Sequence, residues 1–218
     1  IVFVSNKPVA TRQSYADKLT RLGLPTPVQD VVNSSQVLVT WLVAHAPGAR
    51  VFPIAEQVLI DELLAAGMVL TDVPGEIEYV IASFDRTFVY QKLQVAFDAI
   101  RAGARLIASN ADAYCPVPGG GEPDAASIIA AIEACTGCRN ELVAGKPSAL
   151  MARTAMDVLG TAPAHSMMVG DRVETDILMG QRAGMWTAMP LTGATSLDRL
   201  AHSEVQPDFI LERLDELL

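Results

Sequence analysis

Cysteine is scarce. Only 3 fall among 218 residues, too few for a disulfide framework, and the chain reads as one suited to a reducing cytoplasm. Cys135 and Cys138 are spaced C-x-x-C, but no second pair completes a zinc site, and Thr136-Gly137 between them reads as a helix end. Basic residues are short as well. Sixteen Lys and Arg against 25 Asp and Glu leave a net charge of −9, which argues against nucleic acid, whose backbone demands basic patches. Long apolar runs are missing. The richest, Val37 to Ala46, carries Thr40 and His45 and stays well under the ~18 residues that a membrane span needs. No signal-peptide pattern, internal repeat or low-complexity segment is present. An initial Met is lacking too: the chain opens inside the apolar stretch Ile1-Val2-Phe3-Val4-Ser5 and reads as a fragment of a longer protein.

What is present is core. Half the residues are hydrophobic, and short apolar runs alternate with helical patterns. Strands are expected at Ile1–Val4, Arg50–Ile54, Ile77–Ser83, Arg105–Ser109, Leu142–Ala144, Ser166–Val169, Met185–Met189 and Phe209-Ile210. Helices are expected from Thr11 to Gly23, from a cap at Ser34 or Ser35 to Ala46, and over Glu56–Ala66, Phe88–Ala102, Ala125–Ala134 and Ser148–Leu159. Pro147 suits the first turn of the last of these. The Pro- and Gly-rich stretch from Asn110 to Pro123 reads as loop. Such alternation specifies an α/β fold with a mostly parallel sheet covered on both faces. The pattern restarts after Pro47-Gly48, so residues 45–139 form a candidate inserted α/β domain within a core made of 1–44 and 140–218.

The chemistry concentrates at Met167-Met168-Val169-Gly170-Asp171-Arg172-Val173-Glu174-Thr175-Asp176. An apolar strand breaks at Gly170, Asp171 stands at its tip, and Asp176 falls in the first turn of the following helix. Ligands of open α/β sheets bind outside such strand ends. Asp residues there also serve simply as helix caps. Two carboxylates near one point call for a positive partner, and a hard divalent cation such as Mg²⁺, which takes oxygen ligands and keeps several waters, answers that demand.

Two further strand ends look alike: Ser5-Asn6 after the first strand, and Gly145-Lys146-Pro147. Each alone could be a strand terminus or a loop. Together they suit a phosphoryl group. Ser5 and the amide of Asn6 can donate to its oxygens, Lys146 supplies a compact positive charge, and Asp171 can anchor a metal. On this reading Lys146 lies beside the Asp171 carboxylate or one water away.

These stretches resemble the motifs of the haloacid dehalogenase (HAD) superfamily, and within it the NagD-like phosphatases with a type II cap. Ile1–Asn6 is similar to motif II, Gly145-Lys146-Pro147-Ser148 to motif III, and Gly170-Asp171-Arg172 through Thr175-Asp176 to motif IV. Ala108-Ser109-Asn110-Ala111-Asp112 resembles a loop signature of the cap. The likeness implies a Rossmann-like three-layer parallel sheet core and a C2-type cap at 45–139. It implies a Mg²⁺-dependent phosphatase acting on small phosphomonoesters of the sugar phosphate, phosphoglycolate or 4-nitrophenyl phosphate type. Asp171 would be the metal ligand. Lys146 and Ser5 would hold the phosphoryl group, with Asn6 beside Ser5, and Asp176 would orient the ligand or its loop. Lys7, Asn110 and Asp112 would face the leaving group.

Motif I, with its attacking Asp and the acid–base Asp two residues on, has no counterpart in the chain, so the core is expected to lack its first strand and this chain to be inactive. The implied partner is a small phosphorylated metabolite, with neither nucleic acid nor membrane, and a homodimer through the cap is an assembly found among similar proteins. A different class remains open at this level: a phosphate-ligand-binding or receiver-like signalling module, with Mg²⁺ and Lys but no turnover.

Overall fold

The computed structural model describes residues 1–217, which fall into two compact units, one of residues 3–145 and one of residues 1–2 with 146–217. Both are mixed α/β.

In the first unit, β1 (Phe3–Ser5) leads to α1 (Arg12–Arg21). Thr11 caps α1, its hydroxyl accepting from the Ser14 amide at 3.2 Å. The buried strand β2 (Val31–Asn33) pairs in parallel with β1, Phe3 opposite Val31. Next comes α2 (Ser34–His45), capped by Asn33, whose Oδ1 accepts from the Gln36 amide at 2.9 Å. The cap is therefore one residue before Ser34 and two before Ser35, the serines that the sequence offered. Ser34 is free for another task, and its hydroxyl donates to the Asn6 carbonyl at 2.7 Å.

The chain then builds β3 (Arg50–Ile54), α3 (Gln57–Ala65), β4 (Val69–Leu70), β5 (Tyr79–Ala82), α4 (Tyr90–Arg101) and β6 (Arg105–Ala108). A hairpin, β7 (Tyr114–Val117) and β8 (Gly120–Pro123), precedes α5 (Ala125–Thr136) and β9 (Leu142–Val143). The five parallel strands order as β4-β3-β5-β6-β9. The order reverses on either side of β3, which makes the β3/β5 boundary a topological switch point. Because β9 pairs with β6, this sheet runs beyond residue 139, where the sequence pattern had ended the middle domain.

Tyr79–Ala82 is buried at every position, as a central parallel strand requires, which is why it reads as a continuous apolar run without alternation. Val80, Ala82, Leu106 and Ala108 pack against Ala96, Ala99, Ile128 and Ile132 of α4 and α5. Small residues on α4 and large ones on α5 let both helices lie close to the sheet. Gly137, at φ 74°, ends α5 in the left-handed conformation that glycine takes without strain.

The stretch expected as loop from Asn110 to Pro123 instead contains the hairpin, with Tyr114 opposite Pro123 and Val117 opposite Gly120. Pro118-Gly119 makes the turn, Gly119 at φ 83°. The two prolines within its strands withhold an amide each, tolerable in a two-stranded ribbon with open edges.

Glu62 of α3 is the misfit of this unit. Its Oε2 is buried without a hydrogen-bond partner, and burial raises its pKa against the opposing pull of Arg12. A carboxyl whose folded pKa is raised costs stability in full above that pKa, and the cost fades as pH falls toward the unfolded value. Glu62→Gln is therefore expected to stabilise the protein at pH 7 by roughly a few tenths of a kcal/mol, because solvent screening at this half-exposed site trims the penalty. The gain should shrink toward pH 4.5. Urea unfolding at both pH values checks this, and a variant less stable than the parent at pH 7 would refute it.

The second unit contains α6 (Ala149–Leu159), β10 (Met167–Val169), a π-helical turn (Val173–Ile177), α7 (Leu178–Ala183), β11 (Trp186–Pro190), α8 (Leu197–Ala201) and β12 (Phe209–Leu211). The three strands are parallel in the order β10-β11-β12. Ser148, not the helix's first residue, caps α6 by accepting from the Met151 amide at 3.1 Å, so Pro147 stands just outside the helix. Val173 and Ile177 pack with Met189 and Leu200, pinning the π turn to the sheet. No described helix is long and apolar enough to cross a membrane.

Candidate active site

In the second unit, β10 ends at Val169, and the Gly170 amide still reaches the Ala188 carbonyl at 3.1 Å. A Cβ at Gly170 would fall onto the Asp176 carboxylate. The glycine is thus a matter of space: it lets Asp176, in the π turn, fold back against the strand end. Asp176 is 4% exposed. Its Oδ2 accepts from the Arg172 amide at 3.1 Å, and its Oδ1 lies 2.6 Å from Lys146 Nζ. The sequence placed Lys146 near Asp171, directly or through one water; the carboxylate in direct contact with it in this unit is Asp176.

Asp171 is held separately. Its Oδ2 accepts from the Ala194 amide at 2.8 Å, and its carbonyl accepts from Thr195 N at 3.1 Å. Thr195 is itself buried and accepts from the Val173 amide at 3.3 Å. Gly193 is needed here, since a Cβ would overlap the Asp171 side chain. Residues 193–195 therefore fix the half-buried Asp171 without consuming all of its acceptor sites, a carboxylate offering about four. No group of three or more His, Cys, Asp or Glu is gathered for a metal among the described residues. A donor set of one oriented carboxylate fits Mg²⁺, which takes one or two carboxylates and completes its shell with water and phosphate oxygens.

In the first unit, the predicted residues Asn6, Asn110 and Asp112 come together. Asn6 Nδ2 donates to Asp112 Oδ2 at 2.9 Å, and Asn110 Nδ2 donates to the same oxygen at 3.0 Å. Asn110 also donates to Asp124 Oδ1 at 3.0 Å and accepts from Ser109 Oγ at 2.8 Å. Ser109 Oγ lies 2.7 Å from Ser83 Oγ. Asn110 is fully buried, so its amide is committed to aiming Asp112. Gly145 closes the cluster: a Cβ there would sit 2.6 Å from Asn6 Oδ1 and 2.9 Å from the Ser109 carbonyl.

Ser5 Oγ accepts from the amide of the exposed Lys7 at 3.2 Å, and Tyr15 OH donates to the Lys7 carbonyl at 2.9 Å. Burial raises the Tyr15 pKa, partly offset by a hydrogen bond with Ser5. Sequence reasoning missed Tyr15, Asp124, Ser83 and Ser109. Tyr15 falls within a stretch read only as helix. Asp124, directly before an apolar helix, carried a readable capping signal and does cap α5, accepting from the Ala125 amide at 2.6 Å.

The profile of the haloacid dehalogenase-like hydrolases matches residues 1–69, and that of HAD-hydrolase-like proteins matches residues 143–217. The sugar-phosphatase AraL of Bacillus subtilis is 37% identical over 217 residues, spanning 100% of this chain and 79% of its own length. The chain belongs to the haloacid dehalogenase-like hydrolases. The 5'-nucleotidase YutF of Bacillus subtilis is 31% identical, over 99% of this chain and 83% of its own. Among solved structures, the 4-nitrophenylphosphatase of Thermotoga maritima superposes with a TM-score of 0.92 at 34% identity, covering 99% of this chain and 82% of that one. The p-nitrophenyl phosphatase of Archaeoglobus fulgidus also superposes at 0.92, with 29% identity. The family and the α/β fold read from the three strand-end motifs are borne out.

Proposed function

We propose that the protein is the greater part of a Mg²⁺-dependent phosphatase of small phosphomonoesters. The observation that carries this is Lys146 Nζ, 2.6 Å from a buried Asp176 carboxylate beside the Gly170-Asp171 strand end. That arrangement holds an ammonium in one place, where it can balance phosphoryl charge without reorganising. The relatives, themselves named as a sugar phosphatase, a nucleotidase and 4-nitrophenyl phosphatases, support the substrate class. On this reading residues 1–44 and 146–218 belong to the core domain and 45–145, whose sheet takes in β9, to the cap. The three free cysteines suit a reducing cytoplasm.

Each group has a role. Ser5 and the Asn6 amide donate to phosphoryl oxygens, Lys146 draws in and neutralises the phosphoryl charge, and Asp176 keeps Lys146 in position. Asp171 would hold Mg²⁺, which supplies Lewis-acid polarisation of the phosphoryl group when bound. Lys7 and Asp112 face the leaving group, and Asn110 acts through Asp112. The attacking carboxylate lies outside residues 1–218. Its oxygen forms a bond to phosphorus as the ester P–O bond breaks and the leaving alkoxide takes a proton; water then cleaves the acyl phosphate to inorganic phosphate.

The protein encoded by the whole reading frame should hydrolyse 4-nitrophenyl phosphate with added Mg²⁺ and lose the activity in EDTA, recovering it when Mg²⁺ is restored. Full turnover in EDTA after dialysis would rule out the metal, and no turnover in either condition would rule out the phosphatase.

A further inference from the structure

In the second unit, α6 and α7 border a groove of about 450 Å³, a volume within the range of small-molecule sites. Helical spacing builds its walls. Ala149, Ala152, Arg153 and Met156 share one face of α6, and Met179, Arg182 and Ala183 share one face of α7. Ala152 and Ala183 are too short to fill the space between the helices, and the thioethers of Met156 and Met179 line it. None of Lys146, Asp171 and Asp176 borders the groove.

Its polar groups are unspent. Arg153 and Arg182 are exposed at the walls, and neither guanidinium makes a hydrogen bond or ion pair among the described residues. The same holds for the Asp157 carboxylate, one turn on from Arg153, although that spacing suits an ion pair. The helix dipole accounts for Arg182, in the last turn of α7. It does not account for Arg153, which stands in the middle of α6. Two positive groups and one negative thus leave the groove cationic, in a chain whose net charge is −9.

Each part favours a different chemistry. Guanidinium forks match phosphate oxygens bidentately. Thioethers pack well against aromatic rings, and a carboxylate accepts from hydroxyl or amino groups. We propose that the α6–α7 groove binds a nucleotide-like aromatic phosphate. Its phosphates lie on Arg153 and Arg182, its ring against Met156 and Met179, and a hydroxyl or amino group on Asp157. The inference goes beyond the phosphatase reading and does not rest on it.

The probe is α,β-methylene-ADP, which offers a phosphomonoesterase no ester to cleave, titrated by calorimetry into the protein encoded by the whole reading frame in EDTA. Adenosine and inorganic phosphate should each bind at least about tenfold more weakly, since each lacks one half of the contacts. R153Q and R182Q should each weaken binding of the analogue roughly tenfold, the worth of one charge-assisted hydrogen bond. A183L keeps both arginines but fills the groove, and should weaken binding at least as much. Unchanged melting curves show that the variants are folded; the two arginine variants, altered only at exposed side chains, decide the matter if A183L is not. No binding at about 1 mM analogue overturns the site. Binding that survives both arginine substitutions overturns it too, because the analogue then sits elsewhere. Loss in R153Q and R182Q with full binding in a folded A183L reduces the arginines to surface cations and overturns the groove. Inorganic phosphate binding as tightly as the analogue overturns the nucleotide-like class.

Discussion

Asp176→Ala is expected to destabilise the protein by about 3–5 kcal/mol, the range for removing one partner of a buried ion pair. The side chains of Lys146 and Asp176 are only 13% and 5% exposed, so water cannot replace the lost carboxylate at Lys146 Nζ. The Arg172 amide loses its acceptor in the same substitution. Lys146→Met should cost less, because Asp176 keeps that amide. Combined with Asp176→Ala it should recover more than about 1 kcal/mol relative to the sum of the two, the coupling expected of two groups in direct contact. Urea unfolding of the four proteins closes the cycle. Additivity within roughly 0.5 kcal/mol, the behaviour of independent sites, would mean that the two groups do not sense each other in solution and that Lys146 is held by something else.

That pairing also marks where the sequence stopped being readable. Strand ends were legible at Val169-Gly170 and Ala108-Ser109 because a buried parallel strand is a plain apolar run, and its end changes the residue type abruptly. Which of two carboxylates, Asp171 or Asp176, would meet Lys146 was not legible. Their positions differ by five residues, and a π turn rather than an α turn brings the second one back under the strand. Space left by Gly170 and the amide of Arg172 decides it, and neither leaves a periodic trace.

The hairpin at 114–123 was hidden for another reason. Its prolines and glycines carry loop statistics, whereas its existence depends on backbone register between Tyr114 and Pro123. The cluster of Asn6, Asn110 and Asp112 was named residue by residue from the resemblance, yet its wiring was not. That Asn110 spends its amide on Asp112 and Asp124, and so acts as a support, follows from burial that side-chain identity does not encode. The middle sheet shows the same limit at its edge: β9 is two residues long and gave too short a signal to assign it to β6.

Residues 1–218 produced alone are expected to show no turnover of 4-nitrophenyl phosphate above background at saturating Mg²⁺. The loss relative to the protein of the whole reading frame should be on the order of 10³-fold or more, as when a nucleophile is removed from other hydrolases. The argument is one of chemical roles. On the proposed mechanism Lys146 neutralises a phosphoryl group, Ser5 and Asn6 donate to it, and Asp171 orients a cation, each as an accessory to attack by a separate carboxylate. Asp176 cannot supply it, being buried and paired with Lys146. Asp112 accepts from Asn6 and Asn110, and Asp124 is spent on Asn110 and the α5 cap. Asp85 is enclosed by Thr87 and Lys92. A faint residual rate is tolerable, since positioning and electrostatics survive loss of a nucleophile. The deciding measurement sets the two proteins side by side, each at several concentrations, with circular dichroism to show that residues 1–218 are folded. Comparable turnover by both would put the nucleophile among residues assigned other roles here, and Asp171, half-buried at the strand end, would be the first to replace.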